Sequence, residues 1–312
     1  MLEWTVSLPD RLDSFLAAEG RMLSRTKAKK AIEEGFVFVN NVVEELASCR
    51  LQEGDRVRVL DEAVTPKEST IDASDLTLEI LYEDDACFVI NKPAGIAVHP
   101  GAGMHEGEKT ILHGIAYLFE QKNLPFSSES VLVHRLDKET TGCLIIAKNP
   151  AAHLALQKQF ETRTVEKTYL ALVAGIPEHK TAMIDSPIGR SSGNRTKMSI
   201  SGVSGTREAQ TTYRTVQTAD HCALLECDLH TGRTHQIRVH LHSIGHPVLG
   251  DGTYSNSLSE RLSDDLGIRN LCLHAWKLSF ESPADRKKHD IQAGLPESFS
   301  KLLKKLEMKE PV

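Results

Sequence analysis

The sequence lacks the features of a membrane protein, an exported protein or a disulfide-stabilised protein. No apolar run approaches the roughly 18 residues that a transmembrane helix needs. Residues 1–10 show no basic start followed by an apolar stretch, so no signal peptide is expected. The six cysteines form no CxxC pair, and we expect reduced, mostly buried thiols. These absences predict a cytoplasmic protein with no membrane partner.

An excess of positive charge is also missing. The 312 residues include 37 Lys and Arg against 43 Asp and Glu, a formal net charge of −6. This balance argues against a protein that binds nucleic acid over its whole surface. Binding depends on where the charges lie, however, so the positions of the basic residues matter more than their sum.

Composition divides the chain into a small domain, a linker and a larger domain, and a size of roughly 150 residues per domain also predicts about two domains. We place the small domain at 8–60. Residues 61–75 are polar and contain one proline and no apolar periodicity, which is typical of a linker. Residues 76–312 alternate β-rich runs with helices and end near ESFSKLLKKLE, whose apolar spacing predicts an amphipathic C-terminal helix.

The small domain is expected to contain two helices followed by strands. Leu12, Phe15 and Leu16 lie at helical spacing, and a second helix is expected to end at Gly35. The runs FVFVN and DRVRVL alternate as strands. Residues 21–30 carry five basic side chains and no acidic one: Arg21, Arg25, Lys27, Lys29 and Lys30. They form either a solvated helix face or a site for RNA phosphates at a helix N-terminus, and charge alone does not decide.

These residues resemble the small RNA-binding module of small-subunit ribosomal protein four. The resemblance rests on RLDSFL, SRTKAKKAIEEGFVFVN and LQEGDRVRVL. It implies a small α/β domain that binds structured RNA. The sequence departs from the pattern at Asn41, where the module usually has glycine, although asparagine also tolerates a left-handed turn.

The stretch VLVHRLDKETTGCLIIAK carries the strongest candidate for chemistry in the larger domain. Its composition predicts two strands joined by a turn, with Asp137 at the end of the first strand. A carboxylate that projects from a rigid element suits catalysis. The same residue types also favour an ordinary exposed hairpin turn, so residue chemistry alone leaves both interpretations open.

Three other segments accompany this stretch. LEILYEDDACFVINKPAGIAVHPG predicts a hairpin followed by a loop. VEKTYLALVAG predicts a strand from Val165 that contains Tyr169, and a tyrosine among such neighbours is more often part of the core. LLECDLHTGRTHQIRVHLHSIGHPVLGD predicts a strand, a tight turn at Thr231–Gly232 and a helix over 234–245, with Arg233 at the junction.

The histidines of the last segment raise the question of a metal site. His242 and His246 lie four residues apart on the predicted helix, whereas His240 faces a different side from His242. The HExxH pattern is missing, and no carboxylate or cysteine stands at a suitable ligand spacing. The sequence therefore predicts no metal.

Taken in order, these motifs resemble those of the RluA-type pseudouridine synthases. The resemblance rests on HRLDKETTG at 134–142, KTYLALVAG at 167–175 and HTGRTHQIRVHLHSIGHPVLGD at 230–251, and it spans roughly residues 76–283. It implies an α+β catalytic domain with a mixed, largely antiparallel sheet. It also implies an isomerase that breaks the bond between the base nitrogen and the ribose of uridine and rejoins the base through carbon.

The resemblance assigns roles to individual residues. Asp137 is the expected catalytic carboxylate, Tyr169 the active-site tyrosine and Arg233 the active-site arginine. A cation beside a desolvated carboxylate keeps it ionised, so we expect Arg233 to pair with Asp137 and Arg233→Lys to lose much activity. Arg135 is expected to fill the space that an extruded uridine leaves, and Ile237 to form an apolar pocket wall. The reaction needs no redox partner, so no cofactor is expected.

Structured RNA is the expected partner, and the accessory N-terminal module favours large-subunit ribosomal RNA. One alternative is a synthase that acts on tRNA. Others are a non-catalytic RNA-binding or ribosome-assembly protein and a metal-dependent hydrolase that uses the histidines. We expect a monomer, and the sequence leaves open whether Asp137 acts as nucleophile or as base.

Overall fold

The computed structural model describes residues 2–18, 21, 25–60, 71–100, 104–105, 107–193, 197–201 and 203–311. The chain divides into two compact units, Met1–Thr70 and Ile71–Val312. In the described ranges, no helix combines the length and the apolar character that are needed to cross a membrane. The part of the predicted linker at 61–70 lies outside the described residues, while Ile71 packs against the core of the second unit.

The first unit places its helices against a four-stranded antiparallel sheet. Its strands run in the order β1-β6-β3-β4, and a short pair, β2 and β5, lies beside them. The elements are β1 (Leu2–Thr5), β2 (Asp10–Arg11), α1 (Leu12–Ala17), α2 (Arg25–Glu33), β3 (Val37–Val39), β4 (Val42–Val43), β5 (Arg50–Leu51) and β6 (Arg56–Val59).

Both predicted helices and both predicted strands of this unit are confirmed. The helical spacing buries Leu12, Phe15 and Leu16 in one core. Asn41 has a φ of 70°, the left-handed turn that its residue type tolerates. The strand β1 was not predicted, and it lies before residue 8, where the small domain was expected to begin. It forms by antiparallel pairing with β6, a partner more than 50 residues away, which the local sequence does not indicate.

The second unit is built on a mixed sheet of nine strands. The strand order is β11-β15-β16-β10-β17-β9-β8-β7, and β18 also pairs with β17. Only the β17–β9 pair of this sheet, as described, is parallel, so the predicted mixed, largely antiparallel sheet is confirmed. Its elements are β7 (Glu79–Glu83), β8 (Cys87–Lys92), α3 (Ile111–Gln121), β9 (Thr141–Ala147), α4 (Pro150–Glu161), β10 (Glu166–Ala174), β11 (Thr181–Asp185), β12 (Ile188–Ser191), β13 (Met198–Ser199), β14 (Val203–Arg207), β15 (Gln210–Ala219), β16 (Cys222–Leu229), α5 (Gln236–Ser243), α6 (Ser257–Leu266), β17 (Leu273–Glu281), β18 (Lys288–Gln292) and α7 (Glu297–Lys305).

The predicted strand VLVHRL is wrong. Residues 131–140 form a loop, which we call the Asp137 loop, and Leu132 contributes a single isolated bridge to Ile146. The N–H of Ile145 in β9 donates to Nε2 of the His134 side chain at 2.9 Å, where a paired strand would offer a backbone carbonyl. The loop therefore runs beside β9 without becoming a strand, despite its strand-like composition.

A glycine fixes how closely the Asp137 loop approaches the middle of the sheet. Gly142 has a φ of +106°, and a Cβ at this position would lie 2.2 Å from the carbonyl oxygen of Ala275. Only glycine fits this close approach of β9 to β17. The contact anchors the C-terminal end of the Asp137 loop on rigid structure.

The predicted C-terminal helix and the predicted state of the cysteines are also found. Helix α7 buries Phe299, Leu302 and Leu303 against the core of the second unit. All six cysteines are free thiols, five of them buried and Cys49 half-buried.

Candidate active site

A cleft with a volume of about 500 Å³ opens in the second unit and collects the motif residues. Asp137 and Arg135 reach it from the Asp137 loop, and Tyr169 from β10. Arg233 and Ile237 reach it from the segment that follows β16. The fold thus brings together at one cleft residues that lie about 100 positions apart in the sequence.

The carboxylate of Asp137 is held by one arginine. Nη1 of Arg238 donates to Oδ2 of Asp137 at 3.1 Å. The other edge of the same guanidinium grips Asp251, with Nε donating to Oδ2 at 2.7 Å and Nη2 to Oδ1 at 2.9 Å. Such a two-point contact fixes the plane of the guanidinium, and thereby its direction toward Asp137.

The Arg238–Asp251 pair is buried and remains charged. Burial alone would lower the pKa of Arg238, but hydrogen bonds and charge from Asp251, and then from Asp137, raise it above its ordinary value. Burial would likewise raise the pKa of Asp251, yet Arg238 and the N–H groups of Tyr254 and Thr253 lower it. The cleft therefore keeps a permanent positive charge beside Asp137.

The prediction that Arg233 pairs with Asp137 is wrong, because Arg238 occupies that position. Arg233 lies in the turn before α5, where its Nε donates to the carbonyl of Glu208 at 2.9 Å and its N–H to Oε1 of Gln236 at 3.0 Å. Arg238 is the third residue of α5, and helical side chains lean toward the helix N-terminus, the end that meets the cleft. Both arginines belong to one motif, and sequence spacing alone does not distinguish them.

Tyr169 forms part of the cleft wall. Tyr169 is 8% exposed. It lies on β10, where it pairs with Cys227 of β16 on one side and with Ala275 of β17 on the other. Burial, and then the charge of Asp137, raise the pKa of Tyr169 above that of a free phenol. The ring is therefore a neutral phenol at rest.

The two remaining predicted cleft residues differ in burial: one lies in the wall and the other at the rim. Ile237 is buried in the wall. Arg135 is exposed at the rim, and within the described part of the chain it forms no ion pair with Glu139, the acidic residue four positions further along the loop. Its guanidinium is thus available to a ligand.

The cleft concentrates positive charge in a chain whose sum is −6. Its lining includes two acidic side chains, Asp137 and Glu161. Lys167 is half-buried, and its ammonium has no hydrogen-bond acceptor or ion-pair partner among the residues that the structure describes. Five lining side chains are basic: Arg135, Arg163, Lys167, Arg233 and Arg238.

Sequence reasoning missed a lysine that fastens the Asp137 loop. Lys92 is fully buried at the end of β8. Its ammonium donates to the carbonyls of Pro93 at 2.6 Å, Ile96 at 2.9 Å and Lys138 at 2.9 Å. Burial lowers the pKa of Lys92 to about 8, against the charges of Glu139 and Asp137. The predicted loop NKPAG contains this lysine, but the sequence does not indicate which backbone carbonyls its ammonium contacts in the folded protein.

Four of the five basic residues predicted at 21–30 have partners within the first unit. The guanidinium of Arg21 lies over the ring of Phe15, 4.1 Å from its centroid. Nε of Arg25 donates to Asp13 at 2.9 Å. Lys29 and Lys30 lie 3.5 and 3.8 Å from glutamates one helical turn away. The side chain of Lys27 lies outside the described residues, as do residues 22–24, so the RNA-phosphate interpretation of this segment stays a prediction.

Two histidines in and directly after α5 form hydrogen bonds with neighbouring hydroxyl and carbonyl groups. His240 bonds to the hydroxyl of Thr211 at 2.9 Å and to the carbonyl of Ser186 at 3.0 Å. Nδ1 of His246 lies 3.0 Å from the carbonyl of Ala174. Across the described ranges, no three His, Cys, Asp or Glu side chains form a group that could hold a metal ion.

Comparisons with known proteins define the class. The chain matches the family model described as RNA pseudouridylate synthase over residues 86–243 and that of the S4 domain over 10–57. Since the first match covers half of the chain, the protein belongs to the RNA pseudouridine synthase family. It is an RNA-modifying isomerase with an accessory RNA-binding domain.

Individual relatives extend over nearly the whole chain. It is 38% identical to the ribosomal large subunit pseudouridine synthase D of Nitrosomonas europaea, over 94% of this chain and 83% of that relative. It is 34% identical to the uncharacterized RNA pseudouridine synthase YlyB of Bacillus subtilis, over 95% of this chain and 94% of that relative. The solved structure of human RNA pseudouridylate synthase domain containing 4 superposes with a TM-score of 0.61 at 29% identity, over 75% of this chain and 95% of that one.

Proposed function

We propose that this synthase isomerises uridines of large-subunit ribosomal RNA and that Asp137 is its catalytic carboxylate. The observation that carries the residue assignment is the guanidinium of Arg238, which Asp251 orients and which donates to Asp137 inside the cleft. The S4 match and the relatives named ribosomal large subunit pseudouridine synthase D support the choice of RNA. Tyr169, Ile237 and the arginines around them complete the proposed site.

Asp137 supplies the negative charge that the reaction needs beside the ribose. It either attacks the anomeric carbon as the base nitrogen leaves, or removes the proton from the neighbouring ribose carbon to give a glycal. Both routes use the carboxylate of Asp137, to which the Arg238 guanidinium donates. The base then rotates and forms its new bond to the ribose through C5, as the Asp137 carboxylate either leaves the anomeric carbon or returns the proton to the neighbouring ribose carbon.

Tyr169 is proposed to stack on the extruded base and to take part in removing the C5 proton. Because its pKa is raised, the phenol is protonated at rest, so its own proton goes to solvent water as its oxygen accepts the one from C5. Arg135, exposed at the rim, is proposed to enter the space that the flipped uridine leaves in the RNA.

The test is a pseudouridine map of total RNA from cells that carry the wild-type protein, no protein, or Asp137→Asn. We expect one or more pseudouridines of large-subunit ribosomal RNA in the wild type alone, with tRNA maps equal in all three. Loss of sites in tRNA instead would overturn the proposed substrate. Identical maps for the wild type and Asp137→Asn would overturn the proposed role of Asp137.

A further inference from the structure

His235 adopts a strained backbone conformation at the edge of the cleft. It precedes α5 with φ 57° and ψ 19°, the left-handed region, which non-glycine residues rarely adopt. The conformation directs the imidazole toward two groups: Nδ1 lies 2.9 Å from the hydroxyl of Tyr254, and Nε2 lies 4.0 Å from Oδ1 of Asp137. Such strain persists where surrounding contacts require it, and those contacts include the proposed catalytic carboxylate.

The hydrogen bonds around Tyr254 decide which imidazole nitrogen carries the proton. The N–H of Met198 donates to the hydroxyl oxygen of Tyr254 at 2.8 Å. Among the residues that the structure describes, Nδ1 of His235 is the one acceptor within hydrogen-bond distance of the Tyr254 hydroxyl hydrogen, and we infer that it receives that hydrogen and is the unprotonated nitrogen. In the neutral ring the proton consequently lies on Nε2, the atom that faces Asp137.

Burial, together with two nearby guanidinium groups, favours the neutral form of the His235 ring. Burial lowers the pKa of His235, the carboxylates of Asp137 and Asp251 raise it, and the guanidinium groups of Arg238 and Arg135 lower it again. The net direction is downward from the ordinary value of a histidine. A neutral imidazole donates a hydrogen bond without adding a second cation beside Arg238.

We propose that His235 is a positioning residue for Asp137, with its Nε2–H tautomer fixed by Tyr254. Arg238 holds Oδ2, and His235 donates to Oδ1 when substrate closes the 4.0 Å gap, since such contacts are often long without substrate. Two donors then fix the rotation of the carboxylate. This inference rests on the proposed role of Asp137.

The tautomer is tested by ¹⁵N NMR of the full chain, with the His235 signals assigned by their loss in His235→Asn. Wild type is expected to show a neutral ring with the proton on Nε2. Tyr254→Phe keeps the ring that lies under the Arg238 guanidinium, 5.0 Å away, but removes the hydroxyl, so we expect a mixture of tautomers. A wild-type proton on Nδ1, or a tautomer unchanged in Tyr254→Phe, would overturn the proposal.

Kinetics provide the second readout. Tyr254→Phe is expected to lower kcat about 10-fold or more while the RNA Kd stays within about twofold, since small losses of alignment are costly in rate. His235→Asn, which tolerates the left-handed backbone and keeps an amide donor, should retain more activity than His235→Ala. Tyr82→Phe removes a hydroxyl bonded to Asp84, outside the cleft lining, and serves as the control with wild-type kcat.

The outcomes separate this inference from the proposed function. Wild-type kcat in Tyr254→Phe together with an inactive Asp137→Asn would overturn the positioning role alone. An active Asp137→Asn would overturn the role of Asp137 itself.

Discussion

At the residue scale, two arginines of one motif have different partners. Arg238 donates to both Asp137 and Asp251, whereas Arg233 donates to a backbone carbonyl. The motif resemblance identified the right segment and the need for a cation. It did not identify which arginine, because that depends on where α5 begins and on the position of Asp251 in the fold.

The first prediction compares Arg238→Lys with Arg233→Lys. Lysine keeps the charge at 238 but loses the fork that joins Asp137 to Asp251, so we expect kcat/KM to fall at least about 100-fold. Arg233→Lys is expected to stay within about fivefold of wild type. Turnover of a uridine-containing RNA measures both, with the unfolding midpoint recorded to exclude loss of fold. An inactive Arg233→Lys beside an active Arg238→Lys would contradict the structural assignment.

Tyr169→Phe separates base stacking from proton transfer. The ring remains and the hydroxyl is lost, so we expect RNA affinity to change less than about twofold and turnover to fall about 100-fold, as general acid–base roles usually require. Binding to RNA and single-turnover rates are the two measurements. Wild-type turnover would leave stacking as the only role of this side chain.

At the scale of elements, hydrophobic periodicity predicted the helices and strands whose own apolar residues follow a regular spacing. The helix of Leu12 and Phe15 and the strand of Tyr169 follow their patterns. VLVHRL fails because the side chain of His134 takes the N–H of Ile145, a contact that composition does not reveal. The role of Lys92 was likewise hidden, since its three carbonyl acceptors lie in loops, and the local sequence does not specify how those loops fold.

Lys92→Met tests the fastening of the Asp137 loop. Removing the ammonium leaves buried carbonyls without a donor, so we expect the free energy of unfolding to fall by about 3 kcal/mol. Urea unfolding gives this value. Lys138→Met is the matched control in the same loop: its exposed ammonium pairs with Glu108, and its loss should lower the free energy of unfolding much less than Lys92→Met does. Equal effects of the two substitutions would contradict the account of Lys92.

At the scale of the whole molecule, the net charge of −6 conceals a basic cleft. The sum alone argued against nucleic acid, and the positions of the charges reverse that argument. Two units were expected from length and composition, and two are present. The strand Leu2–Thr5 and the packing of Ile71 were not predictable, because both depend on contacts with distant parts of the chain.

Lys167→Met tests the electrostatic part of RNA binding. The logarithm of RNA affinity falls linearly with the logarithm of salt concentration, and each phosphate of a single strand that an ammonium neutralises makes this slope steeper by about 0.7. We expect the slope to become shallower by that amount. Lys288→Met, which removes an exposed lysine paired with Glu166 and outside the cleft lining, should leave the slope unchanged. A slope unchanged in Lys167→Met would exclude a phosphate contact at Lys167.

The central claim is that Asp137, held by Arg238, performs the isomerisation. A uridine loses its C5 hydrogen when it becomes pseudouridine, so tritium released from large-subunit ribosomal RNA labelled at uridine C5 measures the reaction directly. Purified wild-type protein is expected to release tritium, and Asp137→Asn to release none above the blank while binding the RNA with wild-type affinity. Tritium release by Asp137→Asn at the wild-type rate would contradict the account.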